Sequence, residues 1–204
     1  MTIKYFFLLA VLFTFSLSAQ QIFIKSGINN TSYHFEAPDA NEINLRTASG
    51  TSYELGFEHQ FKNSKVSYLS SITINQFNAN ASNGATSYSW RTSYLGLQNM
   101  LAYTVFKEKN KFNTQLKVGL NTITIVKGEQ FINTSFYDIK KQEEFSGITL
   151  QPAVGITTSY KVSDALFMSL GYNFSNAYNV SNSSDEKITF INHQFQFGFH
   201  FPIK

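Results

Sequence analysis

Apolar and polar residues alternate along eight segments of the chain, the period expected of β-strands with two unlike faces. The second segment shows it most plainly: Tyr53, Leu55, Phe57, His59 and Phe61 oppose Ser52, Glu54, Gly56, Glu58 and Gln60. The first, about 22–35, sets Ile22, Ile24 and Ile28 against Lys25, Gly27 and Asn29. The third places Val66, Tyr68, Ile72 and Ile74 on one side, with Leu69 an exception on the other. The fifth opposes Phe112, Leu116, Val118 and Leu120 to Gln115, Lys117, Gly119 and Asn121. The sixth opposes Leu150, Pro152, Val154, Ile156 and Tyr160 to Gln151, Gly155, Thr157 and Ser159, although Pro152 has no N–H for a ladder. The seventh and eighth set Leu166, Met168, Leu170, Tyr172 and Phe174, then Phe195, Phe197, Phe199 and Phe201, against Ser169, Gly171, Asn173, Gln194, Gln196, Gly198 and His200.

The fourth segment, Tyr88 to Phe106, changes phase. Tyr88, Trp90 and Tyr94 lie on one parity, and Leu95, Leu97, Leu101, Tyr103 and Val105 on the other. A one-residue slip would turn every following side chain to the other face, so the pattern predicts a β-bulge near Tyr94.

The polar side decides which face is wet. It is mostly Ser, Thr, Asn, Gln and Gly, and seven segments carry one glycine there: Gly27, Gly56, Gly96, Gly119, Gly155, Gly171 and Gly198. A soluble lipocalin-like barrel or sandwich would share the alternation but would line its wet side with Lys and Glu. Glycine inside an open strand weakens it without return. In a narrow closed barrel, small residues make room in a crowded interior while lipid wets the apolar outside. Composition agrees: charged residues are 14% of the chain and aromatics 16%, against about 25–35% charged on an ordinary soluble surface.

Connections after segments two, four and six are short (62–65, 107–111, 162–164). Those after one, three, five and seven are longer (36–47, 79–87, 128–146, 176–186). Outer-membrane barrels have short periplasmic turns and long outer loops. The expected fold is therefore all-β: an eight-stranded antiparallel transmembrane up-and-down β-barrel in the cell outer membrane, in contact with outer-membrane lipid. Boundary aromatics are expected at Tyr53, Tyr88, Trp90 and Tyr172 on the outer side, and at Phe61, Tyr103, Phe106, Phe112, Tyr160 and Phe201 on the periplasmic side.

Lys4, an apolar run from Tyr5 to Phe15 and Ser16-Leu17-Ser18-Ala19 read as a signal peptide, residues 1–19, cleaved to leave a barrel domain at 20–204. The run is too short for a membrane-spanning helix. There is no cysteine, hence no disulfide or lipoprotein anchor. Beyond Lys4, fifteen basic residues face thirteen acidic ones, a net charge of +2 with no basic stripe, so no nucleic-acid partner is expected.

Ser18-Ala19-Gln20 at the cleavage site, Tyr94-Leu95-Gly96-Leu97 with Leu101-Ala102-Tyr103, and Leu116-Lys117-Val118-Gly119-Leu120 carry a family resemblance. The mature chain resembles eight-stranded outer-membrane barrels of the OmpA/OmpX type, and among them the Bacteroidota outer-membrane β-barrel domain group that includes PorT-like proteins. It departs from many such chains in that Phe201 is followed by Pro202-Ile203-Lys204 rather than ending the chain.

Inward positions carry Lys25, Glu54, Glu58, Arg91, Lys117 and Lys161. Buried charges persist when paired, so Glu54 and Glu58 are expected to pair with Lys25 or Lys117 as a plug of the lumen. The alternatives are a gated ion path or two catalytic carboxylates. His34, His59, His193 and His200 lack metal-ligand spacing, and no metal or cofactor is expected. Ser32 with His34 has the residue types of a lipid-modifying enzyme, without an acidic orienter. The longest outer loop carries Phe131, Phe136 and Tyr137 beside Lys140, Lys141, Glu143 and Glu144. It suits either a protein or glycan contact or a cover for the barrel mouth. The chain is expected to be a monomer without enzymatic activity, serving envelope integrity, adhesion or loop-mediated recognition. Resemblance to PorT-like proteins implies instead an accessory role in a secretion or envelope-assembly machine. A lipid-modifying enzyme and a narrow pore stand behind these.

Overall fold

The computed structural model describes residues 21–36, 46–82, 86–107, 111–140, 142, 145–181 and 187–203. The expected signal peptide and loop residues Lys141, Glu143 and Glu144 lie outside them. The strands are β1 (Gln21–Glu36), β2 (Arg46–Gln60), β3 (Val66–Ser82), β4 (Ser87–Lys107), β5 (Phe112–Ile132), β6 (Ser135–Asp138), β7 (Thr149–Ser163), β8 (Leu166–Asn179) and β9 (Lys187–Pro202). They run in the order β4-β3-β2-β1-β9-β8-β7-β5, and β4 pairs with β5 to close the ring. Every pairing is antiparallel. Eight strands thus form the expected closed barrel, and β6 folds back on the outer end of β5 as a hairpin. Closure leaves no open sheet edge in the wall.

The wall is inside-out. Leu55 (56% exposed), Ile72 (57%), Val118 (57%) and Leu170 (67%) stand on the outer surface, whereas Lys25, Glu54, Glu58 and Lys117 are 4–6% exposed within. The periplasmic aromatics Phe61, Tyr103, Phe106, Phe112, Tyr160 and Phe201 all face outward, as does Tyr53 on the other boundary. An all-β wall with this belt spans a membrane through its strands.

Four expectations need correction: the slip in β4, Trp90 at the boundary, and Arg91 and Lys161 in the lumen. Strand β4 does not slip: Trp90, Thr92, Tyr94, Gly96, Gln98, Met100, Ala102 and Thr104 are buried on a single parity. The bulge at Tyr94 belongs to its neighbour, because Ser93 pairs Lys127 while Tyr94 pairs Ile125, leaving Val126 as the extra residue. Trp90 (7% exposed) is therefore a core residue rather than a boundary aromatic, and Tyr94 (2%) packs beside it inside the barrel. Arg91, between them, faces outward, and Lys161 is a rim residue whose Nζ lies 2.6 Å from Asp164 Oδ1. Pro152 is accommodated by a gap in the β7–β8 ladder, which passes from Leu150↔Tyr178 directly to Ala153↔Ser175.

The strands differ in length, and this shapes the outer end. β4 and β5 run 21 residues each, β8 only 14. On β4 the aliphatic belt begins at Leu95, so residues 87–93 rise above it.

Candidate functional site

The lumen is filled in layers. In the lower layer Lys25 Nζ donates to Glu54 Oε1 at 3.2 Å, and Ser71 Oγ and Gln196 Nε2 donate to the same carboxylate at 3.0 and 2.9 Å. Glu58 accepts from Gln115 Nε2 at 2.7 Å. Lys117 interacts electrostatically with Glu54 and Glu58, and among the described residues it forms no ion pair at contact distance. The structure thus brings together all four charges expected in the plug, two of each sign, but joins only Lys25 and Glu54 directly. His200, also inward, bonds Ser169 Oγ at 2.9 Å and lies 5.4 Å from the Phe23 ring.

Above the ions lies a layer of amides. Gln194 Nε2 reaches Ser52 Oγ (2.9 Å), Asn75 Oδ1 (3.0 Å) and Asn29 Oδ1 (3.1 Å). Asn173 Nδ2 donates to Gln194 and Gln196 at 2.8 and 3.0 Å. Asn121, Gln151 and Ser175 continue the chain of bonds across the lumen. The lumenal oxygens of Asn121, Asn173 and Thr157 that lack a hydrogen bond lie against Gly96, Gly155 and Gly171, where an added Cβ would collide with them. This is the physical use of those glycines: each leaves space for a polar side chain from the neighbouring strand. The space left between Asn121, Gln151, Asn173 and Gln194 is about 10 Å³, no more than one water molecule needs.

The uppermost layer was not foreseen. Tyr33, Phe77, Trp90, Tyr94, Ile123, Ile125, Ile139, Phe145, Ile188 and Phe190 form one buried apolar cluster. Phe77 and Phe190 sit 4.7 Å apart by ring centroid, and Trp90 meets Phe145 edge-on at 5.2 Å. The Tyr33 hydroxyl is satisfied by Phe77 O (3.1 Å) and Thr92 Oγ1 (2.9 Å). Tyr33, Phe77, Ile123 and Phe190 all carry the inward parity of their strands, and that parity was the available signal.

The longest outer loop divides its work. Ile139 and Phe145 turn down into this cluster and cover the barrel mouth. Phe136 (55% exposed) and Tyr137 (48%) stand outward on β6, which pairs with β5 through Phe131↔Phe136 and Gln130↔Tyr137. Phe131 is half-buried, 5.7 Å from Phe136 and 5.3 Å from the Arg91 guanidinium. The other candidates stay apart. Ser32 Oγ bonds Thr47 Oγ1 at 2.7 Å rather than His34, and His193 bonds the Tyr172 hydroxyl at 2.8 Å on the outer wall. Among the described residues no cluster of His, Asp or Glu has the makings of a metal site.

An amide stands in the lipid-facing belt of β4. Asn99 lies between Leu97 and Leu101, and its Oδ1 accepts from Tyr68 Oη (2.5 Å) and Ser70 Oγ (3.2 Å) on the neighbouring strand.

No protein-family model and no curated protein sequence matches the chain. Solved structures do. Neisserial surface protein A superimposes with a TM-score of 0.51 at 12% identity, over 89% of this chain and 97% of that one. Ail, the attachment invasion locus protein of Yersinia pestis, gives 0.47 at 10% identity over 90% and 99%. The outer membrane enzyme PagL gives 0.46 at 10% over 89% and 99%. The first of these likenesses shows a shared fold. Together with the apolar belt and the closed antiparallel wall, it makes this chain an eight-stranded β-barrel of the cell outer membrane.

Proposed function

We propose that this barrel is neither a pore nor an enzyme but a rigid stem for recognition at its outer end, in adhesion or in binding a protein or glycan. The observation that carries this reading is the division within one loop. Ile139 and Phe145 anchor it in the mouth, and Phe136 and Tyr137 are held outward on a hairpin continuous with a barrel strand. Two aromatic side chains on a stiff support contribute contact area at little cost in conformational entropy. The filled lumen supports the non-conducting part. The test uses the full chain in lipid nanodiscs against an array of glycans and matrix proteins. The expected result is a bound subset that the double variant Phe136→Ser, Tyr137→Ser loses, with single-channel conductance near zero for both proteins. Equal binding by the double variant, or a steady conductance, overturns the reading.

A second reading is favoured by the mid-belt position of Asn99, where an amide N–H finds no acceptor in lipid. A neighbouring membrane protein would supply one, which suits the accessory role in a secretion or envelope-assembly machine implied by the PorT-like resemblance. Co-purification of a large envelope complex in mild detergent, abolished by Asn99→Leu, is the expected result for that role. A lone barrel from both proteins counts against it.

A further inference from the structure

Above the belt, the outer wall of β2–β5 carries a groove of about 720 Å³ whose lining is polar and includes Ser49, Asn78, Asn80, Arg91, Lys127 and Glu129. Its rows follow from the register. Gln76, Ser93 and Lys127 lie side by side, and Asn78, Arg91 and Glu129 form the next row outward. Two dislocations bracket it: the extra residue in β2 between Ala48 and Ser52, and Val126 in β5. Bulges of this kind bend a strand and deepen the local twist.

Three features fit a ligand. First, the charges are arranged for an anion. Glu129 lies opposite Arg91 in the ladder but pairs with Lys127 at 2.9 Å. The Arg91 guanidinium is left with the Phe131 ring at 5.3 Å and, among the described residues, no carboxylate. A guanidinium presented on an aromatic face is a planar, bidentate receptor for phosphate. Second, the flanking amides and hydroxyls are those that bind sugar hydroxyls, and Asn78 is already fixed by donating to Ser49 O at 2.8 Å. Third, an apolar furrow of about 460 Å³ begins directly below, lined by Tyr53, Leu55, Ile72, Ile74 and Phe197. Ile74 lines the furrow and Gln76, the next outward residue of β3, lines the groove. Arg91 stands four residues above Leu95, where the belt begins, about 13 Å along the strand. That is the level of lipid headgroups.

We infer that groove and furrow are one site for an outer-leaflet lipid with a phosphorylated sugar headgroup: phosphate on Arg91, sugar among the amides, and an acyl chain along Ile72 and Ile74. The site adjoins the β6 hairpin through Phe131 and Glu129 but uses Arg91 and Ile74 rather than the outward rings of Phe136 and Tyr137, so its failure leaves the recognition reading untouched. The experiment is native mass spectrometry of the full chain released from detergent after incubation with a bisphosphorylated diglucosamine glycolipid, its dephosphorylated form, or phosphatidylglycerol. The expected result is one retained phosphorylated glycolipid. Arg91→Gln should cut retention about tenfold, and Ile74→Trp, which fills the furrow from the lipid side, should cut it as well. Both residues face outward, so both variants should keep the wild-type heat-induced gel shift. Equal retention by Arg91→Gln overturns the assignment. So does equal retention of the dephosphorylated lipid, or displacement by millimolar inorganic phosphate, which would mark an anion site indifferent to lipid.

Discussion

Below the level of Asn75 and Gln194 the lumen is filled mainly by ions and amides, with a smaller apolar cluster of Phe23, Leu69, Met100, Ala102 and Ala153 among them, and the wall outside is aliphatic. Above that level the filling is Tyr33, Phe77, Trp90, Tyr94 and Phe190, and the wall outside is Gln76, Asn78, Ser93 and Arg91. The lower part of the barrel is inside-out, and the upper part has the distribution of a soluble protein. Strands β3, β4 and β9 cross the boundary with their parity unbroken and exchange their chemistry, whereas β2 and β5 cross it with an extra residue that shifts theirs. The solvent outside dictates the outer face, lipid below and water above, and the inner face takes the complementary chemistry. The lower filling is held chiefly by directed bonds, whose strength depends on how fully the network is satisfied. The upper one is held by contact between rings, for which shape matters more than direction.

The largest effects come from breaking one half at a time. Lys25→Met leaves the Glu54 carboxylate buried without its ion partner, which should cost about 3–5 kcal/mol. Adding Glu54→Gln to the same chain should recover most of that loss, because the partner charge goes too. Urea unfolding in micelles, followed by tryptophan fluorescence, measures both. A single variant as stable as wild type would mean that Lys117 already compensates Glu54 alone.

Phe190→Ala attacks the other half. It removes a ring in contact with Tyr33, Phe77 and Tyr94, and a cavity of that size should cost about 3 kcal/mol. The comparison is sharpened by where the loss appears. Native-state hydrogen exchange should accelerate at the outer ends of β3, β4 and β9, while amides beside Lys25 and Glu54 keep their protection. Acceleration in both regions together would mean that the two fillings form one cooperative unit.

The lower half was legible because two signals coincide there. In β2 every outward residue from Tyr53 to Phe57 is large and apolar while Ser52, Glu54, Gly56 and Glu58 alternate with them, so both the period and the sign of the faces can be read. In the upper half the period persists but the sign reverses. A sequence cannot tell a reversed sign from a one-residue slip, since both move apolar residues to the other parity. That is why Trp90 and Tyr94 read as a displaced continuation of the lipid face and the bulge was expected on β4. The decisive fact, that the unpaired extra residue is Val126 on β5, involves a strand pairing and cannot be read within one segment. The plug was half-legible for a similar reason. Inward charges are visible as inward, but whether Glu58 meets a lysine or Gln115 depends on the angular spacing of strands around the ring.

The smallest effect isolates the boundary itself. Ser93 and Leu97 lie on the same strand and the same outward face, one above the belt and one within it. Arginine at either site points outward from the same strand; Ser93 stands between Gln76 and Lys127 and Leu97 between Ile72 and Thr122, so besides the solvent outside only the like charge of Lys127, which works against Ser93→Arg, separates them. Leu97→Arg places a guanidinium in hydrocarbon and should cost about 2 kcal/mol, whereas Ser93→Arg, among the headgroups, should cost about 0–1 kcal/mol. Refolding into lipid vesicles at a series of urea concentrations measures the difference, and the same pair in a soluble detergent-free buffer gives no refolding for either. If the two variants lose equal stability in vesicles, the boundary does not fall at Leu95. The exchange of chemistry along β4 would then be a property of the lumen alone, with the water-facing wall of Arg91 and Ser93 lying inside the membrane and the headgroup level lying higher up the barrel.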